Sequence, residues 1–259
     1  MLDRIRRAIS RPVPIEASLW GDVVEGSELL GSLSDDERAR VRRLAGGFLH
    51  RCRLVGARGF EPDQALRTRV AGEACTLLAG RAPGPDGLDP LDAYRAVREL
   101  VLYPGGFRVT QRWTDEDGVA HEREAELAGE AWQEGPVILA RDDVEQPGAG
   151  FNVVVHEFAH VLDAGNGSVN GFPRIEDAGL RKRWPEVFQG AFADLQRLDE
   201  RGLDGPIDPY ALEDPGEFFA VASEAFFTDP HPMRHDWPKV YAALSDYYAQ
   251  RPHERFRDA

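Results

Sequence analysis

The chain has 259 residues, 42% of them hydrophobic, with 31 Lys and Arg against 45 Asp and Glu and a formal net charge of −14. That length suits one large domain or two small ones with a sizeable core, and the charge argues against a protein whose main work is gripping phosphate backbones. No apolar run suits a membrane span, the first residues carry no signal-peptide core, and Cys52 and Cys75 fit reduced thiols of a cytoplasmic protein.

The basic opening of "MLDRIRRAISRPVPIEASLW" reads as a frayed, solvated start rather than a short amphipathic helix. Ser34 with Glu37 three residues on forms a capping-box pattern, and Val41, Leu44, Phe48 and Leu49 follow at helical spacing, so 34–55 is a helix. A second helix is expected over about 64–80, then a loop, "RAPGPDGLDP". Next come a strand-like run ending at Pro104-Gly105-Gly106, a hairpin within "DGVAHEREAELAGEAWQEG" and a buried strand, "PVILA".

"NVVVHEFAHVLD", residues 152–163, carries the chemistry. In a helix, positions i and i+4 lie about 40° apart and one turn up. His156 and His160 therefore share a face and can hold one metal ion, while Glu157 points off that axis toward a water. Two histidines, one carboxylate and a water around zinc make a hydrolytic site. The flanking residues are apolar nearly all round, so uncompensated polar groups here are costly. Three consecutive valines favour a strand locally, but the stop at Gly165-Asn166-Gly167 favours a helix.

Helices are expected in "WPEVFQGAFADLQRLDERG", "GEFFAVASEAFFTD" and "WPKVYAALSDYYAQ". No third histidine follows the motif at short spacing, so the missing ligand is a carboxylate on a later helix. Glu217 and Glu224 lie seven apart on one stripe. Glu217 also fits a capping box behind Asp214 and Pro215, and an unpaired Glu224 would be expensive in its apolar helix. The residues alone leave the two equal: one binds metal, and the other orients a metal-bound histidine. Asp163, seven after His156, is another orienting candidate or a helix-end residue bonded to the following loop. The pattern is that of one α+β domain with a helical N-terminal part over about 30–85.

The segments "GFNVVVHEFAHVLD", "IDPYALEDPGEFFAVASEAFF", "LVLYPGGF", "GFEPD" and "AWQEGPVILA" resemble the Mlc titration factor A family, bacterial zinc-dependent peptidases of the gluzincin kind (HExxH followed by a distant Glu). The likeness runs from about 30 to 250. It implies a zincin-like core over about 91–250 with a small mixed sheet, the HExxH helix and additional N- and C-terminal helices. It also implies one zinc per chain, cytoplasmic residence and weak aminopeptidase-like activity on peptide or protein substrates. Residue by residue, His156 and His160 match the histidine ligands, Glu157 the catalytic glutamate and Glu217 the glutamate ligand. His121 matches a histidine associated with the metal, a fourth ligand that would close the site. Tyr210 matches a tyrosine suited to an oxyanion. In enterobacteria the family implies binding to the transcriptional repressor Mlc, so the alternative function is a regulatory protein-binding module with a structural or autoinhibited zinc site. Neither function calls for direct contact with nucleic acid or membrane.

Overall fold

A computed structural model of the chain describes residues 13–82, 89–105, 136–147 and 150–256, together with the backbone of 107–114, 120–127 and 129–131. Helix α1, Ala17–Glu25, buries Trp20 and Val23, and Ile15 before it is buried too. The basic opening expected to be frayed falls within residues 1–12, which lie outside the described residues. After the short α2, Glu28–Ser32, the expected capping box forms, with the Glu37 N–H donating to Ser34 Oγ and the Ser34 N–H to Glu37. It opens α3, Asp35–Arg51. Residues past Cys52 leave the expected helix for strand β1, Arg53–Gly56. Asp63 caps α4, Gln64–Thr76.

Strand β2, Glu99–Tyr103, stops before the Pro104-Gly105 turn as its sequence suggests. The hairpin lies earlier than expected: β3, Phe107–Thr114, pairs antiparallel with β4, Ala120–Leu127. Then come β5, Gly129–Ala131, and β6, Val137–Ala140. The main sheet has the order β1-β2-β6-β5, with the first three strands parallel and β5 an antiparallel edge. A small mixed sheet is therefore present. Leu100, Leu102, Val137 and Leu139 are buried along its middle strands.

The short α5, Arg141–Glu145, precedes α6, Val153–Asp163, the helix bearing the HExxH residues. Its three valines are helical because Asn152, at the N-cap, accepts the Val155 N–H at 2.9 Å and because burial rewards the helix more than local preference opposes it. Gly167, at φ 105°, closes the turn after it. Helix α7 runs from Ala178 to Asp199, six residues earlier than its sequence suggests. Trp184-Pro185 looks like a helix start, yet Asp177 is the cap and Pro185 is tolerated inside. The chain ends with α8, Pro215–Thr228, then α9, Pro230–Asp236, and α10, Pro238–Tyr248.

Two aromatic clusters fix the helix carrying the motif and the helix facing it. Phe158 of α6 packs edge-on against Phe48 and Tyr94, with centroids 5.5 and 4.8 Å away. On α8, Phe218 and Phe219 pack into Phe188 and Trp184, which stack on each other at 4.0 Å. Each fully buried ring contributes roughly 1.5–3 kcal/mol from burial. One continuous core joins residues from Ile15 to Tyr248. Cys52 and Cys75 are both free and buried, and desolvation pushes the Cys52 thiol up to about 12. Among the described residues, no helix is long and apolar enough to cross a membrane.

Candidate metal centre

The apolar face of α6 is locked into the core by Val154, Val155, Phe158 and Ala159, so His156 and His160 must emerge on its remaining face. Opposite them runs α8, whose first turn is set by Asp214: its Oδ1 accepts the N–H groups of Gly216 and Glu217 at 2.6 and 3.0 Å. Pro215 occupies the first helical position, where a missing N–H costs nothing. Glu217 is therefore in the first turn, but its side chain does not close a capping box. It reaches across to the histidines instead, with Oε2 3.1 Å from His156 Nε2 and Oε1 3.3 Å from His160 Nε2.

Glu224, two turns further along, addresses the other edge of the first ring. Its Oε2 is 3.2 Å from His156 Nδ1 and its Oε1 accepts the Asn152 N–H at 2.5 Å. The two glutamates thus face opposite nitrogens of one imidazole. A carboxylate at Nδ1 keeps the ring proton there and leaves the Nε2 lone pair pointing at Glu217 and His160.

The donor set fits a divalent cation. The two Nε2 atoms lie 3.2 Å apart, and His156, His160 and Glu217 each offer a ligand atom, all within 4.8 Å of one another. Acceptor atoms converging this closely call for positive charge among them. The electrostatics carry the same demand: burial opposes a charged His156, but contacts with Glu217 and Glu224 and the charge of Glu157 outweigh it and push the imidazole up to about 10. Burial likewise works to raise Glu217, while both histidines hold it down at about 2.

Glu157 is buried beside this cluster, and its charge acts on both His156 and Tyr210. Tyr210 sits in the turn Pro209–Leu212, 48% exposed, with its ring 6.3 Å from the His156 ring. Desolvation and the Glu217 charge push its hydroxyl up to about 12, so it stays a proton donor near neutral pH. Asp163 points to the loop: its Oδ2 accepts the N–H groups of Asn170 and Gly171 at 2.8 and 2.6 Å. The geometry thus matches the helix-end role, although Asp163 and His160 also attract each other electrostatically. Asp163 Oδ1 and His160 Nδ1 are buried with no hydrogen-bond partner among the described residues. His121 lies on β4 in register with Trp113, and its side chain lies outside the described residues.

Two further polar residues at this site, Asn152 and Glu73, escape the sequence reading. Each has a local signal: asparagine immediately before the helix is a cap, and Glu73 is a lone acid in "VAGEACTLLAG", as expensive there as Glu224 in its own helix.

A family model described as glucose-regulated metallo-peptidase M90 matches residues 2–249. Mlc titration factor A of Enterobacter sp. (strain 638) is 36% identical over 253 residues, covering 94% of this chain and 90% of the relative. The protein of the same name from Cronobacter sakazakii is 35% identical over 256 residues, covering 95% of this chain and 89% of the relative. That from Salmonella typhimurium (strain LT2) is 35% identical over 245 residues, covering 92% and 88%.

Proposed function

The chain belongs to the glucose-regulated metallo-peptidase M90 family, and from that premise we propose that it is a zinc-dependent, aminopeptidase-like peptidase built as a single zincin-like domain of the gluzincin kind. The observation that carries this function is the convergence of His156 Nε2, His160 Nε2 and the Glu217 carboxylate, with ligand atoms within 4.8 Å and Glu157 buried alongside. Two histidines and a carboxylate are the protein ligands of many hydrolytic zinc sites.

Lewis acidity, which acidifies water and polarises a carbonyl, is the chemistry zinc supplies when bound. The protein's own groups do the rest. Glu157 accepts the proton of the attacking water and returns it to the leaving amine. Tyr210, protonated and beside His156, donates to the oxyanion that forms as the carbonyl carbon becomes tetrahedral. Glu224 holds the His156 ring and its tautomer. Asp163 secures the end of α6 through the loop at 170–171. The strand "PVILA" cannot itself take an extended peptide, because β6 is paired with β2 on one side and β5 on the other, so a substrate strand would add at an edge strand such as β5. His121 is proposed as a fourth ligand in a closed form of the site. Metal analysis tests the ligand set: about one zinc per chain is expected in the wild-type protein and a large loss in Glu217→Ala, whereas equal contents would overturn it.

A second function is favoured by the relatives' name, Mlc titration factor A: capture of a repressor protein by the folded surface, with the zinc site structural or autoinhibited, in a cytoplasmic protein. It predicts that repressor capture survives Glu157→Gln and that neither the wild-type protein nor His121→Ala cuts peptides. Hydrolysis by either would exclude it as the sole function.

A further inference from the structure

We propose that Glu73 and Asn152 are positioning residues for the metal-binding histidine pair, and that through them the N-terminal helices set the metal affinity. This rests on the metal site proposed above. The connection is a continuous chain of hydrogen bonds. Glu73, on α4, is 1% exposed. Its Oε1 accepts from Ser27 Oγ at 2.7 Å and from Arg69 Nε at 2.9 Å, and its Oε2 accepts from Asn152 Nδ2 at 3.3 Å. Asn152 then acts in two directions. Its Oδ1 accepts the Val155 N–H at 2.9 Å, capping α6, and its own N–H donates to Glu224 Oε1 at 2.5 Å. Glu224 Oε2 closes the chain on His156 Nδ1 at 3.2 Å.

Every polar atom of the Asn152 side chain thus has one possible role. Glu73 can only accept and the Val155 N–H can only donate, so the amide cannot be turned over without breaking both bonds. A fixed amide fixes the start of α6 and the N–H that Glu224 receives. Glu224 in turn fixes the rotation of the His156 ring. Two buried carboxylates are a costly way to stabilise a fold, since well-packed apolar residues commonly do as well. Their arrangement in series ending on a metal-facing imidazole is accounted for by orientation of that ring, a role in which outer groups alter metal affinity about 10–100-fold.

The bonding pattern supplies its own test, because the polarity of the Glu73–Asn152 bond can be reversed. In Glu73→Gln two amide donors face each other, and in Asn152→Asp two carboxylates do. In the double variant the amide introduced on α4 donates to the carboxylate introduced at the α6 cap, while Arg69, Ser27 and Val155 keep their acceptors. The experiment measures zinc affinity by chelator competition and the visible spectrum of the cobalt-substituted protein, on variants shown to be folded by circular dichroism. Each single variant is expected to bind about tenfold more weakly with a shifted cobalt spectrum, and the double variant to recover both. Asn152→Ser, which keeps a capping oxygen and lacks the amide donor, should lose affinity without adding charge. Wild-type affinity in the folded Glu73→Gln and Asn152→Ser variants, or no recovery in the double variant, would overturn the positioning role alone. A wild-type protein that takes up neither metal would overturn the metal site itself.

Discussion

The Nε2 atoms of His156 and His160 lie 3.2 Å apart, with Glu217 oxygens 3.1 and 3.3 Å from them. Imidazole lone pairs and a carboxylate held at such distances call for positive charge between them.

A pH dependence follows for the chelator-treated protein. His156 is raised from 6.5 to about 10 on folding, so its contribution is complete below 6.5 and is lost as pH rises through about 10. Glu217 is lowered from 4.5 to about 2, so its contribution is complete above 4.5 and is lost as pH falls through about 2. The pair therefore stabilises the metal-free fold most between about 4.5 and 6.5. Urea unfolding midpoints should fall from about pH 6 to about pH 10.5 more steeply in the wild type than in His156→Gln. Equal slopes would show that the pair is not coupled to folding.

Tyr210→Phe removes a hydroxyl and leaves the ligands in place. The side chain is 48% exposed, so stability should change by less than about 0.5 kcal/mol. The turnover number should fall about 10²-fold, with zinc content and KM for a peptide substrate little altered. A change confined to KM would instead make Tyr210 a substrate-binding residue.

Gly171 joins three parts of the site's scaffold. Its N–H donates to Asp163, its carbonyl accepts from Trp184 Nε1 at 2.8 Å, and a Cβ there would meet the Pro215 carbonyl oxygen at 2.2 Å. Its φ of 72° is strained for any other residue. Gly171→Ala should cost at least about 2 kcal/mol, measured by urea denaturation. It should weaken zinc binding as well, because the displaced first turn of α8, which begins at Pro215, carries Glu217. Unchanged stability would mean that this close approach is relaxed in solution.

Much of the site is legible in the sequence because it depends on local geometry. His156 and His160 share a face as soon as the segment is helical, and the apolar residues around them make a helix packed on its other sides unavoidable. The choice between Glu217 and Glu224 is a different matter. Both lie on one stripe of α8, both reach His156, and only the rotation of α8 against α6 decides which meets Nε2 and which meets Nδ1. That rotation is set by distant packing of Phe218 and Phe219 on Trp184 and Phe188. The short α1 is hidden for a related reason: Glu16 makes no side-chain cap, and burial of Trp20 and Val23 holds the helix. The start of α7 is hidden by Pro185, whose ordinary preference for a first turn is overruled by the cap that Asp177 supplies upstream.

The central claim is that Glu157 carries protons in a zinc-dependent hydrolysis, and Glu157→Gln tests it most directly. The variant keeps size and removes basicity, so it should retain about one zinc per chain while kcat/KM on a peptide panel drops about 10²–10⁴-fold. Wild-type hydrolysis by a Glu157→Gln protein of verified zinc content would contradict the mechanism.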